Sequence, residues 1–458
     1  METFILHPEQ EPLDKKWYKE FEQVGSFQAY EYLDGNKEYR EVQKQAFLNG
    51  EINNPNLDYP KIDPEQLKAH EQKLLTLKEK LKEEQDETIR QLYVWKINEK
   101  LVEVRMLQMT HEGNSRLFKR YSSFVYGIPD KNIFVYTINN IRKNIEKNLS
   151  SEDESIKLAT QEVEILLSNN TNIDTTQGIN TLPELETIQI AKIQTEKDLN
   201  NILDITDEKN QEYTAKEIEQ MFASVLKNLE AEGWNVIITK SSKTGISVDQ
   251  ENKTINIPES RKVSFKKLKT LIAHEIGTHV IRRLNGERSK LLLLGLGLDR
   301  YEKAEEGVAT MREQALDEKV EDFAGLDGHL AIGLAYGLDG KPRDFREVYT
   351  ILEKYFYYKN ITSGKKADEA SQQAQTSAWN RTVRTFRGTD CKTPGACFTK
   401  DIIYREGNIE TWNLISKDVK SMITFNLGKF DPVNNRHIEA LMKLGILDEN
   451  LKELGIKS

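Results

Sequence analysis

The chain has 458 residues, of which 38% are hydrophobic and 30% charged, and its formal net charge is −9. This composition is typical of a soluble, helix-rich protein, and the acidic balance argues against a broad basic surface for nucleic acid. The amino terminus has no signal-peptide pattern, and the most apolar run, at 291–298, is much shorter than the ~20 residues of a membrane span. We therefore expect a cytoplasmic protein with neither a nucleic acid nor a membrane as partner.

The amino-terminal part of the chain is predicted to be helical. Residues 1–62 are polar and acidic and form a predicted N-terminal extension. A helical region spans 63–167, where Asp63 can cap the first helix and leucines recur at heptad spacing. Because the heptad is not sustained, we favour an antiparallel helix hairpin within the chain over a coiled-coil partner site. The polar, breaker-rich segment 168–187 is the predicted linker.

Residues 188–458 are predicted to form the core domain. A helix starts at Thr214, and short strands follow in WNVIITK, GISVDQ and KTINIP, which predict a small antiparallel sheet. The KTINIP strand is either an edge that pairs with an extended substrate or a structural hairpin. Ser264 then caps the helix that carries His274, and mainly helices follow. The predicted fold class is therefore α+β and mostly α-helical.

The segment LIAHEIGTHVI contains His274, Glu275 and His279, and the second histidine follows the first by five positions. In a regular α-helix of 3.6 residues per turn, residues five apart point about 140° away from each other. A local π-bulge would return both imidazoles to one face, and such bulges concentrate at functional sites. Gly277 lies in the interval and has no Cβ to oppose the distortion. The alternative is a pair of ordinary buried histidines.

Two imidazoles and one carboxylate are the usual protein ligands of a catalytic zinc ion, which keeps a fourth position for water. Glu275, beside the first histidine, is suited to accept the proton of that water. The pair Glu305 and Glu306 offers a third ligand. By spacing alone, the same pair is equally well explained as the exposed acidic start of a helix.

The motif HEIGTH, followed by EEGVA, resembles the family of microtubule-associated tyrosine carboxypeptidases, whose bacterial relatives are labelled flavohemoglobin expression-modulating QEGLA-motif proteins. We expect the resemblance to cover roughly residues 115–450, with Val308 where the family usually has leucine. It implies a zincin-like metallopeptidase with one zinc ion per chain. By this resemblance the zinc ligands are His274, His279 and Glu306, and Glu275 is the catalytic glutamate.

A carboxypeptidase must bind a free α-carboxylate, for which the planar fork of arginine is well suited. Arg384 and Arg387 lie in RTFRG, a segment included in the resemblance, and Arg282 lies one turn beyond His279. Lys400 and Tyr404 are further candidates for contacts with the substrate or the oxyanion. The alternative for each arginine is pairing with an acidic residue of a neighbouring helix.

The sequence therefore predicts a zinc-dependent metallocarboxypeptidase that acts on a peptide or protein C-terminus. The alternative is a non-enzymatic regulatory or scaffold protein that retains a structural zinc site. Two further expectations concern residues outside the motif. Cys391 and Cys397 are expected to be free thiols rather than a local disulfide, and His329 is expected to be a packed core histidine.

Overall fold

A computed structural model describes residues 11–25, 32–33, 35–59, 63–170, 180–200, 212–240 and 245–447. Within these ranges the chain is mostly helical and has two small sheets, which confirms the predicted α+β class. Residues 1–10 of the predicted extension and 171–179 of the predicted linker lie outside the described ranges. The predicted division into domains therefore stays a prediction.

Helices make up the amino-terminal half of the described chain. Asp63, Asp86 and Asp130 accept backbone N–H bonds at three helix starts, as expected for short polar N-cap residues. The helices are α1 (Lys15–Val24), α2 (Lys37–Leu48), α3 (Pro64–Lys80), α4 (Glu87–Glu112), α5 (Ser115–Tyr126), α6 (Lys131–Asn148), α7 (Glu154–Asn170) and α8 (Leu185–Asn200).

Helices α3 and α4 form the predicted antiparallel hairpin. A short 3₁₀ turn at Leu81–Glu83 separates them. Lys78 donates to Asn98 over 2.8 Å, and Arg105 donates to Glu71 over the same distance, so the helices run in opposite directions. The heptad leucines thus pack within the chain.

Two small sheets are built around the next helix in the chain: one has a strand before and a strand after it, and all strands of the other follow it. Strands β1 (Tyr213–Thr214) and β5 (Lys262–Val263) are paired antiparallel, on either side of α9 (Ala215–Asn228) in the chain. The three predicted strands are β2 (Asn235–Thr239), β3 (Ser247–Asp249) and β4 (Thr254–Pro258), in the order β2-β4-β3.

The prediction of a purely antiparallel sheet is wrong. β4 is antiparallel to β3 but parallel to β2. The physical reason is that β3 lies within the connection between β2 and β4, which gives the chain the length that a parallel crossover requires. The KTINIP strand, β4, is therefore in the centre of the described sheet, and substrate pairing at its edge is excluded there.

The remaining described chain is helical. A π-helix at Ile272–Val280 is continuous with the helices on both sides of it. The other elements are α10 (Phe265–Leu271), α11 (Ile281–Glu287), α12 (Leu293–Leu296), α13 (Glu302–Leu316), α14 (Leu326–Tyr336), α15 (Phe345–Thr362), α16 (Ala367–Phe386), α17 (Ile402–Lys417), a 3₁₀ helix at Val419–Asn426 and α18 (Asn435–Lys443).

Helices α13 and α17 cross at two glycines. A Cβ on Gly307 would lie 2.3 Å from the carbonyl oxygen of Gly407, and a Cβ on Gly407 would lie 2.0 Å from that of Lys303. Only glycine permits this approach of two backbones. The glycine of EEGVA is therefore explained by packing, and the crossing fixes the position of the glutamate before it.

The hydrophobic cores join distant parts of the chain. One core combines leucines of α3 and α4 with Leu291–Leu298 and with Phe430. Asp14 also accepts backbone N–H bonds from Leu292 and Leu293. None of the described helices has both the length and the apolar character that crossing a bilayer requires. Cys391 and Cys397 are buried free thiols.

Candidate metal centre

The π-helix places both histidines of the HEIGTH motif on one face. The ring centroids of His274 and His279 lie 5.2 Å apart. With Glu275, they offer ligand atoms that all lie within 4.8 Å of one another. The predicted departure from α-helical geometry is thus confirmed, because a turn of five residues restores the common face that the spacing demands.

Glu306 reaches the same place from α13. Its Oε2 lies 3.9 Å from Nε2 of His274. Zinc holds nitrogen and oxygen ligands at about 2.0–2.2 Å, so two ligand atoms of a tetrahedral site lie ~3.4 Å apart. The observed separation is close to that value. Two imidazoles with carboxylates beside them therefore fit a zinc ion by geometry and by donor type.

Each imidazole has a second carboxylate on its other nitrogen. Nδ1 of His274 lies 2.6 Å from Oε1 of Glu313, and Nδ1 of His279 lies 2.8 Å from Oε1 of Glu305. The first contact is an ion pair by its distance, and the second is a hydrogen bond. Carboxylates in this position orient metal-binding histidines and leave Nε2 for the metal.

Glu305 is held in turn by a lysine from a distant part of the chain. Lys429 is buried, and its Nζ lies 3.4 Å from Oε1 of Glu305. Burial alone would raise the pKa of Glu305, but Lys429 and His279 lower it to about 2. Burial also lowers the pKa of Lys429, to about 8, although Glu305 opposes that shift. The result is a continuous row of contacts from Lys429 through Glu305 to His279.

The surroundings of His274 favour a positive charge on its imidazole. Burial alone would lower the pKa of His274, but the neighbouring carboxylates, Glu275 foremost among them, raise it to about 9. The pKa of Glu275 is raised, because burial outweighs the opposing effect of the two imidazoles. Carboxylates that stabilise an imidazolium in this way also favour a divalent cation.

The predicted substrate arginines have partners inside the protein. Arg282 is completely buried, and its Nε donates over 2.9 Å to the carbonyl of Gly428. Its Nη1 has no hydrogen-bond partner among the described residues, and the predicted substrate contact of Arg282 stays a prediction. Arg384 binds both carboxylate oxygens of Asp401 over 2.8 Å, as in the alternative of ion pairing.

Lys400 is the predicted substrate residue that contacts α13. Its Nζ lies 2.5 Å from Oε2 of Glu302. Glu302 is one turn before Glu306 on the same helix, and Lys400 also lies over the ring of Tyr126. Arg387 is buried and stacks over the ring of Phe398 with a separation of 5.3 Å.

Tyr404, the remaining predicted substrate residue, is partly buried and packs against the core that contains α15 and α16. His329 is buried, and its Nε2 lies 3.1 Å from Oε1 of Glu406, so the expected core position is confirmed.

Glu305, Glu313 and Lys429 have site contacts that sequence reasoning missed. Glu313 follows Glu306 by two helical turns, so its place on the same face is a signal that the spacing contained. For Glu305 the sequence predicts a possible ligand, not a partner of His279. No sequence spacing predicts the contact of Lys429 with Glu305. That contact depends on the tertiary packing of the 3₁₀ helix that precedes Lys429.

Comparison with known protein families gives one match. The family model described as microtubule-associated tyrosine carboxypeptidase matches residues 183–319 and 365–451. The family resemblance is thus confirmed, although the match begins later than the expected residue 115. Neither the curated proteins nor the solved structures give a significant match.

Proposed function

Because the chain is similar to the microtubule-associated tyrosine carboxypeptidases in the two segments that carry the candidate metal centre, we propose that it is a zinc-dependent metallocarboxypeptidase. The family is one of carboxypeptidases, so an enzyme that acts on a peptide or protein C-terminus is supported at that level. The proposal goes further in four respects: zinc, a zincin-like core, the mechanism, and the removal of a single C-terminal residue such as tyrosine.

One observation carries the proposal. The π-helix brings His274 and His279 to one face together with Glu275, and Oε2 of Glu306, from α13, lies 3.9 Å from Nε2 of His274. A structural site would have no need of a second carboxylate beside the three ligands. We assign His274, His279 and Glu306 as the ligands and Glu275 as the general base, in agreement with the family resemblance.

The division of work follows from these positions. A zinc ion held by the three ligands supplies a Lewis acid that acidifies water and polarises the scissile carbonyl. Glu275 accepts the proton of the attacking water and transfers it to the leaving amine. The same carboxylate can serve in both steps because it lies beside His274. The hydrogen bond of Glu305 to Nδ1 of His279 favours the tautomer that presents Nε2, and Glu313 lies beside Nδ1 of His274.

The substrate backbone is proposed to pair with β3. Among the described strands of this sheet, β3 is at an edge, and the Gln250 side chain that follows it donates to the carbonyl of His279 over 3.3 Å. An extended peptide can add to such an edge through main-chain hydrogen bonds with little demand on sequence. The predicted contacts of the substrate stay those of the sequence analysis, namely Arg384, Arg387, Arg282, Lys400 and Tyr404.

The first experiment measures the metal content of purified protein by mass spectrometry. We expect about one zinc per chain in wild type, less in Glu306→Ala, and full zinc in a folded Glu275→Gln variant. If wild type carries no metal, the proposal is wrong. If Glu306→Ala retains full zinc while Glu275→Gln loses it, the roles of the two glutamates are reversed.

The second experiment tests the reaction. Peptides that end in a free tyrosine are incubated with wild type, and products are identified by mass; the same peptides with an amidated C-terminus are the matched control. We expect loss of the last residue only from the free acids, and none with Glu275→Gln. Cleavage of both sets would indicate an endopeptidase.

The alternative function is non-enzymatic. A regulatory or scaffold protein that retains zinc would give the expected metal content but no cleavage of any peptide in a broad library. The buried base beside the histidines favours the enzyme, because a carboxylate with a raised pKa has a cost in folding that a structural site need not bear. The two experiments together therefore separate the alternatives.

A further inference from the structure

The backbone hydrogen-bond pattern changes at the end of the π-helix, and the change bears on the carbonyl of Gly277. At its carboxyl end, the amide of Ile281 reaches back five residues to the carbonyl of Ile276. The next helix, α11, returns to bonds of four residues. At such a change of pattern one carbonyl is passed over, and the one that follows Ile276 is that of Gly277. It lies between the two histidines, so its partner bears directly on the site.

A side chain from α13 fills this place. Arg312 is buried, with 2% of its surface exposed, and its Nη1 donates to the carbonyl of Gly277. The same nitrogen lies 3.2 Å from Oγ1 of Thr278. Thr278 donates in turn to the carbonyl of Ala273, five residues back, over 3.0 Å. The guanidinium therefore contacts the widened turn at the point where its bonding differs from that of an α-helix.

The second terminal nitrogen of Arg312 is held by residues of two other helices. Nη2 of Arg312 donates to Asp198 over 3.0 Å and to Asn426 over 2.9 Å, and Asn426 also donates to Asp198 over 3.0 Å. These partners belong to α8 and to the 3₁₀ helix before Lys429. A planar fork with donors on both sides can bridge the two sets of acceptors, which a lysine ammonium cannot do in the same way.

We propose that Arg312 is the positioning residue that holds the π-helix in the form required to bring His274 and His279 to one face. Its helix also carries Glu306, so the residue fixes the histidine pair relative to the third ligand. Only the expected effect of Arg312 on zinc binding rests on the proposed function. The consequence for the helix itself is independent of any metal.

The test uses the full chain and the variants Arg312→Lys and Asp198→Asn. Arg343→Lys is the matched control, because Arg343 is equally buried and paired with Asp339, in the turn before α15. Zinc affinity is measured by competition with a chromophoric chelator. Amide hydrogen exchange of 276–283 is measured on the metal-free protein, together with global stability in urea.

We expect Arg312→Lys to bind zinc about 10- to 100-fold more weakly, as is typical when an outer partner of a metal site is changed. Exchange at 276–283 should be faster even without metal. Asp198→Asn should also weaken zinc binding and speed exchange at 276–283, but by less than Arg312→Lys does. Arg343→Lys should lower global stability and leave zinc affinity and this exchange unchanged.

Unchanged exchange at 276–283 in Arg312→Lys would overturn the inference, whatever zinc does. If wild type fails to bind zinc, the proposed function fails, while faster exchange in Arg312→Lys alone would still support the role of Arg312. If Arg343→Lys weakens zinc binding as much as Arg312→Lys does, the effect is only that of a less stable fold, and the inference is wrong.

Discussion

Asp401 is a buried carboxylate shared by two arginines. Arg384 contacts both of its oxygens, and Arg381 donates to one of them over 2.7 Å. Burial would raise the pKa of Asp401, but Arg384 and Arg381 lower it below its ordinary value of 3.8. An acid whose pKa is lowered in the folded state stabilises that state at higher pH, and the contribution is lost as the pH falls through the folded pKa.

We therefore predict that Asp401→Asn lowers the free energy of unfolding by about 2 kcal/mol at pH 7, towards the low end for a buried pair because Arg384 is partly exposed. The difference from wild type should shrink below pH 3.8. Urea unfolding at several pH values measures it. Asp327→Asn, which breaks the more exposed pair with Lys359, is the control, and an equal, pH-independent loss in both variants would contradict the prediction.

Neighbouring residues can have different roles that a sequence does not separate. Glu306 and Glu305 were both candidates for the third ligand, and the resemblance selected Glu306. Glu305 is buried against His279 and Lys429, whereas spacing alone was equally consistent with an exposed helix start. The burial of an acidic residue depends on a cation from elsewhere in the fold, here Lys429, and no local pattern contains that information.

The crossing of α13 and α17 links the packing of two helices to the position of a ligand. In Gly307→Ala the new Cβ would lie 2.3 Å from a backbone oxygen, and the helices would have to separate. We predict a loss of about 2–3 kcal/mol in stability, as for other overpacked sites. We also expect less bound zinc, because Glu306 moves with its helix.

Urea unfolding and metal content measure the two effects. Gly245→Ala is the control, since a Cβ there meets nothing within 4 Å. A Gly307→Ala variant that is as stable as this control and retains full zinc would show that the crossing tolerates a methyl group, contrary to the prediction.

At the scale of elements, local signals succeeded where the cause was local. Capping at Asp63, Thr214 and Ser264 is as the sequence predicts, because a polar side chain next to a helix start acts on its own backbone. The prediction of a purely antiparallel sheet is wrong because strand pairing is not decided locally. Whether β2 pairs with β3 or with β4 depends on the helix that covers the sheet, which alternation of apolar residues does not specify.

The whole molecule depends on contacts between its amino-terminal helices and its later segments. The family match begins at residue 183, yet the core that holds Leu291–Leu298 also contains residues of α1, α3 and α4. A second core joins α6 and α7 to α14, α15 and α16. Removal of the amino-terminal helices would expose both apolar surfaces to water.

We therefore predict that the fragment 180–458 does not unfold cooperatively, although it contains all of the matched segments and the metal centre. Urea unfolding followed by circular dichroism should show a broad transition, whereas the full chain should show a steeper one. A fragment with a sharp transition and hydrogen-exchange protection equal to that of the full chain would contradict this prediction.

The widened turn at Ile272–Val280 also bears on how relatives of this protein can be found. A turn closed by five residues contains one residue more than an α-helical turn and still returns the chain to the same face. Other zinc-binding helices have their two histidines four positions apart. HEIGTH can be aligned with such a helix in space only when a gap of one residue is placed inside the helix. Alignment methods penalise gaps there, because helices rarely accept insertions without a loop. Two proteins with superimposable metal centres can for this reason differ at the motif that would otherwise identify them as similar.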